Sequence, residues 1–452
     1  TNPAWDNPES QPTYNWQDAV FQTSAVQNYN VSMSGGGEKS RTFFSLGYFK
    51  QGGIIIGSDY DRYTARLNTD YNISKKIVVG ATISLAREQK ESITTDHSFG
   101  GILTNVAELQ PTSPIYTNQS GTINDHFFGW NGYNFTSKTA PSNFYVSNIN
   151  NEVYVYKGKY IAMPTNSLQV LASAYGEVEL IKRLKFRSTM NISTGDYFSQ
   201  RIQKKSPDEI ANVGQYLSVS GYNEAWTRSR QWNWVNALTY LKEFGKHTLG
   251  LTAGTDALKN NSRYVSVLGV DNQDGQNSID ATDNIARRTA NGSPSDFSLI
   301  SYFGRVTYDY DGKYLLTANF RRDGSSKFGP NKKYGNFPSA SVGWRISQEK
   351  FMKSVFFIDD LKFRASYGIV GNQNIPNFKY LSTYSNAGGR YQYVIGDNQT
   401  QVPAMFADNI GDPDIHWEKS TQTDFGLDAS LLGRKLTFTA DYYVKNLTDL
   451  LG

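Results

Sequence analysis

Apolar and polar residues alternate along most of the chain, and the alternation returns about fourteen times. In one such stretch, Leu316, Ala318 and Phe320 fall on one side, with Thr317 and Asn319 on the other. Because successive side chains of a β-strand point to opposite faces, this period predicts strands with one apolar and one polar face. The same pattern occurs in RYTARLNTDY, VVGATISLA, LKFRSTMNI, QWNWVNALTY, YFGRVTYDY, LKFRASYG, TDFGLDASL and LTFTADYY. We therefore predict an all-β fold with antiparallel strands joined one after another.

The connections between these stretches also alternate, short and then long. The short ones are 72–76, 181–185, 241–247, 310–314 and 431–435, and the long ones lie near 88–167, 196–228, 256–298 and 369–417. Outer-membrane barrels have tight periplasmic turns and long extracellular loops. The pattern therefore predicts that residues 1–452 form part of one transmembrane up-and-down β-barrel domain, with the four long segments outside. Segment 347–360 is expected to carry a short helix on the short-turn side.

Charged residues within the predicted strands fall on the polar face. They include Arg62, Asp70, Lys185, Arg187, Arg305, Asp309, Arg364, Asp424 and Asp428. A charge facing lipid costs ~2–4 kcal/mol at the bilayer midplane, so we expect the apolar face to be nearly free of charge. A soluble β-sandwich gives the same alternation. The unequal connections and the aromatic residues at strand ends favour the membrane barrel.

The composition is compatible with this interpretation. Of 452 residues only 38% are apolar and the mean hydropathy is −0.53, but a barrel carries its apolar band in every second residue, which keeps the average polar. Aromatic residues reach 14%, which suits either interfacial girdles or surfaces that stack on sugars. The net charge of +4 gives no argument for a nucleic-acid partner. No run approaches the ~18 apolar residues of a membrane helix.

No catalytic or metal-binding constellation is evident. The chain has no cysteine, and its four histidines lack the spacing of a helical zinc site. Asp323, Ser325, Ser326 and Lys327 in RRDGSSKFG suggest a Ser–Lys nucleophile, but Asp-Gly followed by serines is typical of a loop at a strand end. In the segment 271–280 the ligand spacing of a calcium loop fails. We predict no enzymatic activity, no cofactor and no metal.

Aromatic residues in the predicted outer loops are the candidate binding residues. They are Phe127, Phe128, Trp130 and Tyr133 in DHFFGWNGYNF, and Tyr391 and Tyr393 in GGRYQYV. Aromatic faces stack on sugar rings or peptide side chains, and loops commonly carry binding function. The alternative is that these rings pack the loops against each other or against a partner protein. They are therefore predicted to bind substrate or a partner.

Four well-spaced stretches resemble the SusC/RagA family of TonB-dependent outer-membrane transporters of Bacteroidetes. They are NWQDAVFQTSAVQNYNVSMSGGGEKSRTFFSLGYFKQGGIIIGSDYDRYTARLN, FRRDGSSKFGPNKKYGNFPSASVGWRISQEKF, LKFRASYGIVGNQNI and WEKSTQTDFGLDASLLGRKLTFTADYYVKNLTDLL. The resemblance implies a longer parent, with an N-terminal domain, a TonB-contacting segment and a plug before a barrel of about 22 strands. The first residues lack the features of a signal peptide, and family members continue beyond TDLLG. We therefore expect a partial chain with a processed or cut N-terminus, without the plug, whose strands form an open arc.

The resemblance also implies a function. Family members import oligosaccharides or peptides actively across the outer membrane, with a SusD-like surface lipoprotein closing over the extracellular mouth. Energy would come from the TonB–ExbB–ExbD complex acting on the plug. Two other functions stay open at this point: a passive porin-like channel, and an adhesin or secretion barrel whose loops bind a partner.

Overall fold

The computed structural model describes residues 8–10, 13–92, 103, 106–107, 161–203, 221–270, 278–281, 285–385 and 392–451. Its strands are β1 (Val26–Gly36), β2 (Ser40–Gly52), β3 (Asp59–Asn72), β4 (Ile77–Glu91), β5 (Ile161–Ala162), β6 (Pro164–Ile181), β7 (Leu184–Gln203), β8 (Gly221–Phe244), β9 (His247–Val270), β10 (Arg288–Tyr310), β11 (Tyr314–Ser325), β12 (Tyr334–Arg345), β13 (Ile358–Asn372), β14 (Thr383–Ser385), β15 (Gln392–Ile395), β16 (Thr400–Pro403), β17 (Phe406–Asn409), β18 (Glu418–Leu431) and β19 (Leu436–Thr448).

One antiparallel sheet dominates the structure. Fourteen strands follow each other in chain order from β1 through β4, β6 through β13, then β18 and β19, while short β5 pairs with β7. Each strand pairs with the next by an antiparallel register, as the alternation predicts. Within the described residues β1 and β19 do not pair with each other, so these strands form an open arc rather than a closed barrel. Two small hairpin-like pairs, β14–β17 and β15–β16, lie outside it.

Helical structure is sparse in the described part of the chain. Helix α1 (Trp16–Val20) is capped by the Asn15 side chain, which accepts a hydrogen bond from Gln17 N at 3.1 Å. Short 3₁₀ turns occupy Pro8–Ser10, Ile279–Ala281, Ile285–Arg287, Ile346–Gln348 and Lys350–Met352. No described helix is long and apolar enough to cross a bilayer. The segment 347–360 thus contains 3₁₀ turns rather than an α-helix, and its last residues already belong to β13.

The apolar face of the sheet, called the outer face below, is exposed. Val31 is 72% exposed, Trp234 49% and Phe425 46%, although each lies in the middle of a strand. A soluble sandwich buries its apolar face against a second layer. The exposure of the apolar face here therefore contradicts the sandwich alternative. Contiguous exposed apolar surface of this extent marks a face that meets lipid or another protein. The polar side of the sheet is called the inner face.

Short connections at one end are tight turns. Gly245 between β8 and β9 has φ +57°, and Gly312 between β10 and β11 has φ +65°. Both adopt the left-handed conformation that glycine enters without the steric cost of a Cβ atom. Asp309 Oδ1 also accepts a hydrogen bond from Gly312 N at 2.7 Å and fixes that turn. The connections 92–163, 204–220, 271–287, 326–333 and 373–417 all leave the opposite end.

Two of the predicted long loops are shorter than the sequence suggests. The predicted loop 196–228 narrows to 204–220, and the loop 256–298 narrows to 271–287, because β7 to β10 extend into them. In these extensions charged residues such as Asp196, Arg228 and Arg263 lie on the same face as the apolar residues lower in each strand. The apolar-polar alternation is lost there while the backbone pairing continues. The expectation of a nearly charge-free outer face is therefore wrong for this end of the strands.

Candidate functional site on the inner face

A hydrogen-bonded polar network crosses the middle of the inner face. Arg321 Nε lies 2.6 Å from Asp323 Oδ1, and Arg321 Nη2 lies 3.3 Å from Asp256 Oδ2. The same Nη2 donates to Ser301 Oγ at 2.7 Å. Asn233 in β8 donates to the other Asp256 oxygen, which links the network back across β9. Because the acidic groups are mostly buried, the arginine charge that compensates them is needed for the fold.

A second ion-pair group connects the last three strands. Arg364 in β13 binds Asp428 in β18 through two bonds of 2.7 and 3.0 Å, and reaches Asp441 in β19 at 2.9 Å. The arginine passes over Gly426, where an added Cβ atom would stand 2.5 Å from Asp441 Oδ1 and 2.7 Å from Arg364 Cζ. Glycine at this position therefore leaves the space through which Arg364 connects three strands.

The same arrangement recurs near the short-turn end. Tyr175 in β6 donates a hydrogen bond to Asp70 in β3 at 2.6 Å, over Gly80 in β4. An added Cβ atom at Gly80 would lie 2.3 Å from the tyrosine ring. Arg187 stacks on the other side, its Cζ atom 3.7 Å from the ring centre. Two such bridges on the inner face thus connect strands that are not adjacent in the sheet.

A small apolar core lies where the long connections begin, and we call it the loop anchor. It comprises Phe328, Phe337, Ile375 and Trp417, which are 0–8% exposed. The Trp417 ring centre lies 5.1 Å from that of Phe328 and 5.2 Å from that of Phe337. Trp417 Nε1 donates to the Lys333 carbonyl at 2.9 Å. These contacts hold the connections 326–333 and 373–417 against β12.

Lys327 lies beside the loop anchor without forming a catalytic pair with the neighbouring serines. Its Nζ donates to the Ile375 carbonyl at 2.9 Å and lies 4.9 Å from the Phe297 ring centre. Burial lowers the pKa of Lys327. Ser325 Oγ accepts from Lys327 N at 3.1 Å, and Ser326 Oγ accepts from Ser298 N at 2.9 Å. The RRDGSSKFG segment therefore comprises the end of β11 and the structural turn that follows it, and Lys327 ties this turn to the connection 373–417.

Five of the six predicted aromatic binding residues lie outside the described residues. These are Phe127, Phe128, Trp130, Tyr133 and Tyr391. Tyr393 lies in β15, pairs with Val402 in β16 and is 58% exposed. Its ring is available to a ligand or to a partner protein. In the part of the chain that the structure describes, no group of three or more metal-ligating side chains comes together.

Sequence reasoning did not find the Arg321 network or the loop anchor. Arg321 lies on the polar face of its strand, as the alternation predicts, but two of its three partners, Asp256 and Ser301, come from β9 and β10. Phe328 follows a serine-rich turn, where an isolated aromatic residue is expected to be exposed. An aromatic residue within an otherwise polar turn, as Phe328 is in DGSSKFGPNKK, is the sequence feature that could have pointed to the loop anchor.

Comparison with known proteins identifies the family. Residues 114–452 match the family described as TonB dependent receptor-like, beta-barrel. The chain belongs to this family. It is 31% identical over 449 residues to TonB-dependent receptor P39 of Formosa agariphila, covering 98% of this chain and 39% of that protein. It is 28% identical over 455 residues to TonB-dependent receptor SusC of Bacteroides thetaiotaomicron, covering 96% and 42%. The chain thus spans about two fifths of the length of these relatives.

Solved structures show the same fold. The RagAB peptide transporter matches with a TM-score of 0.77 at 21% identity, covering 97% of this chain and 46% of that one. The ferric-catecholate import receptor Fiu of E. coli matches with a TM-score of 0.52 at 11% identity, covering 97% and 59%. At these identities the likeness concerns the fold. The resemblance to the SusC/RagA family and the antiparallel barrel fold that the sequence predicts are confirmed.

Proposed function

We propose that this chain forms part of the barrel wall of a TonB-dependent importer, which carries oligosaccharides or peptides across the bacterial outer membrane. The observation that carries the proposal is the two-sided sheet, whose exposed outer face is apolar and whose inner face is polar and hydrogen-bonded. A wall of this kind separates lipid from a hydrated passage. The inner face offers amide, hydroxyl, carboxylate and guanidinium groups, which suit solutes rich in hydrogen-bonding groups. This function requires no enzymatic chemistry.

The long connections would form the extracellular mouth. Five of them leave one end of the sheet, and the loop anchor fixes the starts of two of them. A SusD-like lipoprotein closing over this end would make a two-sided cavity, and ligand affinity for the closed state would favour capture. Energy would come from TonB–ExbB–ExbD through a plug. Membership in the receptor family, together with the likeness to SusC and to the RagAB fold, supports this assembly.

The predicted aromatic residues would contact substrate or lid. Tyr393 supports this role because its ring is exposed on a small hairpin within the connection 373–417. Phe127, Phe128, Trp130, Tyr133 and Tyr391 are proposed for the same role on the strength of their sequence setting alone. Stacking on a sugar ring or on a peptide side chain is the interaction that we expect from all six.

Uptake in cells separates this function from the two alternatives. Cells producing the full-length protein would be given fluorescent oligosaccharides and peptides, with TonB present or deleted. We expect uptake of one class that disappears without TonB. Uptake that persists without TonB would identify a passive channel, and surface binding without uptake would identify an adhesin. Both results would contradict active import.

A variant pair tests the aromatic assignment within the same assay. Tyr393→Ala is expected to reduce uptake at low substrate concentration, because a stacking contact is lost. Tyr71→Ala is the matched control, since Tyr71 is 47% exposed on the outer face and lies at the short-turn end of β3, away from the long connections. Equal uptake by both variants would remove Tyr393 from the binding site. Intact-mass analysis of the purified complex would show whether a lipoprotein accompanies the chain.

A further inference from the structure

The upper ends of β4 and β6–β9 form a cleft on the outer face, above the apolar band. The cleft has a volume of about 750 Å³, and three arginines line it, one each from β4, β8 and β9. They are Arg87, Arg228 and Arg263, and all three are exposed. This volume lies within the range of small-molecule sites, ~300–1,000 Å³. We call it the arginine cleft.

Strand register places these arginines on the lipid-facing side. Arg87 lies two positions after Leu85 in β4, and Arg228 lies four positions before Trp232 in β8, on the same face of each strand. Leu168 in β6 and Asp196 in β7 complete one row that joins Arg87 to Arg228 and Arg263. The arginine cleft therefore does not belong to the inner face, where the proposed passage lies.

The height of the cleft above the apolar band matches the lipid head-group layer. Four residues of strand span ~14 Å, and a strand tilt of ~40° reduces this to about 10 Å in height. Arg228 thus stands about 10 Å above Trp232, and by the same estimate Arg87 stands about 5 Å above Leu85. The head-group layer on each side of the hydrocarbon is ~5–8 Å thick. The guanidinium groups therefore span the zone in which lipid phosphates lie.

The charge of the cleft favours an anion. Asp196 binds Arg228 with Oδ1–Nε at 2.5 Å, and it is the one acidic residue among those lining the cleft. Within the described residues, neither Arg87 nor Arg263 forms an ion pair with a carboxylate. Arginine binds phosphate through paired N–H donors. As far as the described residues go, two of the three guanidinium groups thus have no carboxylate partner and can bind an anionic ligand.

Aromatic surface beside the arginines favours a sugar-bearing ligand. Trp226 and Phe198 line the cleft with ring centres 5.1 Å apart, and Trp226 is 46% exposed. Exposed aromatic rings stack on the apolar faces of sugars. Leu168, which is 45% exposed, lines the cleft at its side and continues the apolar band for an acyl chain.

We propose that the arginine cleft binds a phosphorylated glycolipid of the outer leaflet, with its phosphates on Arg87, Arg228 and Arg263 and a sugar against Trp226. The proposal rests on the proposed membrane location but not on the transported substrate. It assigns to the wall a lipid site separate from the passage. Bound glycolipid would fix the rotational and vertical position of this part of the wall in the membrane.

Lipid binding by the purified full-length protein tests the proposal. Native mass spectrometry would count lipid A bound from vesicles of phosphatidylcholine with added lipid A, and dephosphorylated lipid A would be the paired probe. We expect the dissociation constant for lipid A to be at least about tenfold lower than for the dephosphorylated form, since charge-assisted bonds to phosphate are lost. Equal binding of the two lipids would overturn the phosphate assignment. If inorganic phosphate displaces lipid A with an inhibition constant equal to the dissociation constant of lipid A, the cleft is a site for free phosphate. That result would overturn the glycolipid assignment.

Variants locate the site. Combining Arg87→Gln with Arg228→Gln and Arg263→Gln is expected to weaken lipid A binding by about tenfold or more. The matched control replaces three inner-face arginines, Arg41, Arg66 and Arg305, with Gln and removes the same charge. Equal loss in both triple variants, or no loss in the cleft variant, would overturn the proposal.

A second variant protects the test against misfolding. The double change Arg87→Gln and Arg263→Gln leaves the Arg228–Asp196 ion pair intact and is expected to weaken lipid A binding by itself. Unchanged lipid binding in a folded double variant would count against the site. Normal TonB-dependent uptake with no specific lipid A binding would contradict the lipid site but not the import function.

Specific lipid A binding with no uptake would contradict the import function but not the lipid site. If the protein is not found in the outer membrane, both proposals are wrong.

Discussion

The loop anchor gives the most direct test of how the wall positions its outer loops. The Phe328 ring is fully buried, and its neighbours come from β12 and from both ends of the connection 373–417. Phe328→Ala removes the central ring without adding a polar group. We expect the connections 326–333 and 373–417 to open locally while the main sheet persists, because their shared apolar contact is lost.

The expected size of the effect follows from two estimates that agree. A buried Phe removes ~150–250 Å² from water, which at ~25 cal/mol per Å² corresponds to about 4–6 kcal/mol. Measured Phe→Ala changes in protein cores cost ~3–5 kcal/mol. Taking about 4 kcal/mol, the opening equilibrium of the two connections shifts by nearly three orders of magnitude, at about 1.4 kcal/mol per factor of ten.

Hydrogen exchange followed by mass spectrometry measures this opening peptide by peptide. Peptides from 326–333 and from the ends of 373–417 should lose protection, while peptides from the turn 311–313 should not change. Phe356→Ala is the matched control, because Phe356 is 93% exposed and the same atoms are removed. Unchanged exchange of both connections in the Phe328 variant would refute the idea that the loop anchor holds them.

Three further perturbations address the inner face and the short-turn end. Arg321→Gln is expected to lower the free energy of unfolding by about 1–3 kcal/mol, because Asp256 loses its charged partner, and thermal unfolding in detergent measures it. Gly426→Ala is expected to cost about 1–3 kcal/mol through crowding; combined with Asp441→Asn in a double-mutant cycle, the two effects should not add. A hydrogen bond from the ammonium group of Lys313 lowers the pKa of Glu349 to about 2. Since the ordinary pKa of a glutamate carboxyl is 4.5, the stabilisation from Glu349 should be complete above about pH 4.5 and disappear as the pH falls through about 2. Glu349→Gln should remove this acid dependence of unfolding.

Each of these changes has a control in the same chain. Arg305→Gln removes an exposed inner-face charge and should change stability by less than about 0.5 kcal/mol. Gly176→Ala adds a Cβ atom with no neighbour within 4 Å, so a similar loss there would show that crowding at Gly426 is not the cause. Exposed Glu243→Gln should keep the acid dependence of the parent. If Glu349→Gln also keeps it, another group is responsible.

The sequence predicted the sheet because its signal is local. In β11 the alternation of Leu316, Ala318 and Phe320 with polar residues holds over the stretch that meets lipid in the proposed setting, and there the period is strict. The predicted β7 and β8 are shorter than the observed strands, because Asp196 and Arg228 stand at outer-face positions where the pattern requires apolar residues. Hydrogen bonding between backbones continues there, and a side-chain pattern does not report it.

The sites were harder to predict because their contacts are not local. Trp417 meets Phe328 only after the chain has passed through β12 and β13 and the whole connection 373–417. The Arg321 network likewise depends on the register that brings Ser301 and Asp256 beside it. A single sequence gives residue types and phase, whereas register across several strands requires the assembled sheet.

The bridges over Gly80 and Gly426 suggest why this wall has side chains that span three strands. Adjacent strands are held by backbone hydrogen bonds, but those bonds allow neighbouring strands to twist against each other. Tyr175–Asp70 and Arg364–Asp441 each tie a strand to its second neighbour, and each passes over a glycine in the strand between. Such ties resist twisting because changing the angle between outer strands stretches the bridge. In the proposed importer they would keep the wall rigid while a plug is pulled, so force would move the plug rather than deform the barrel.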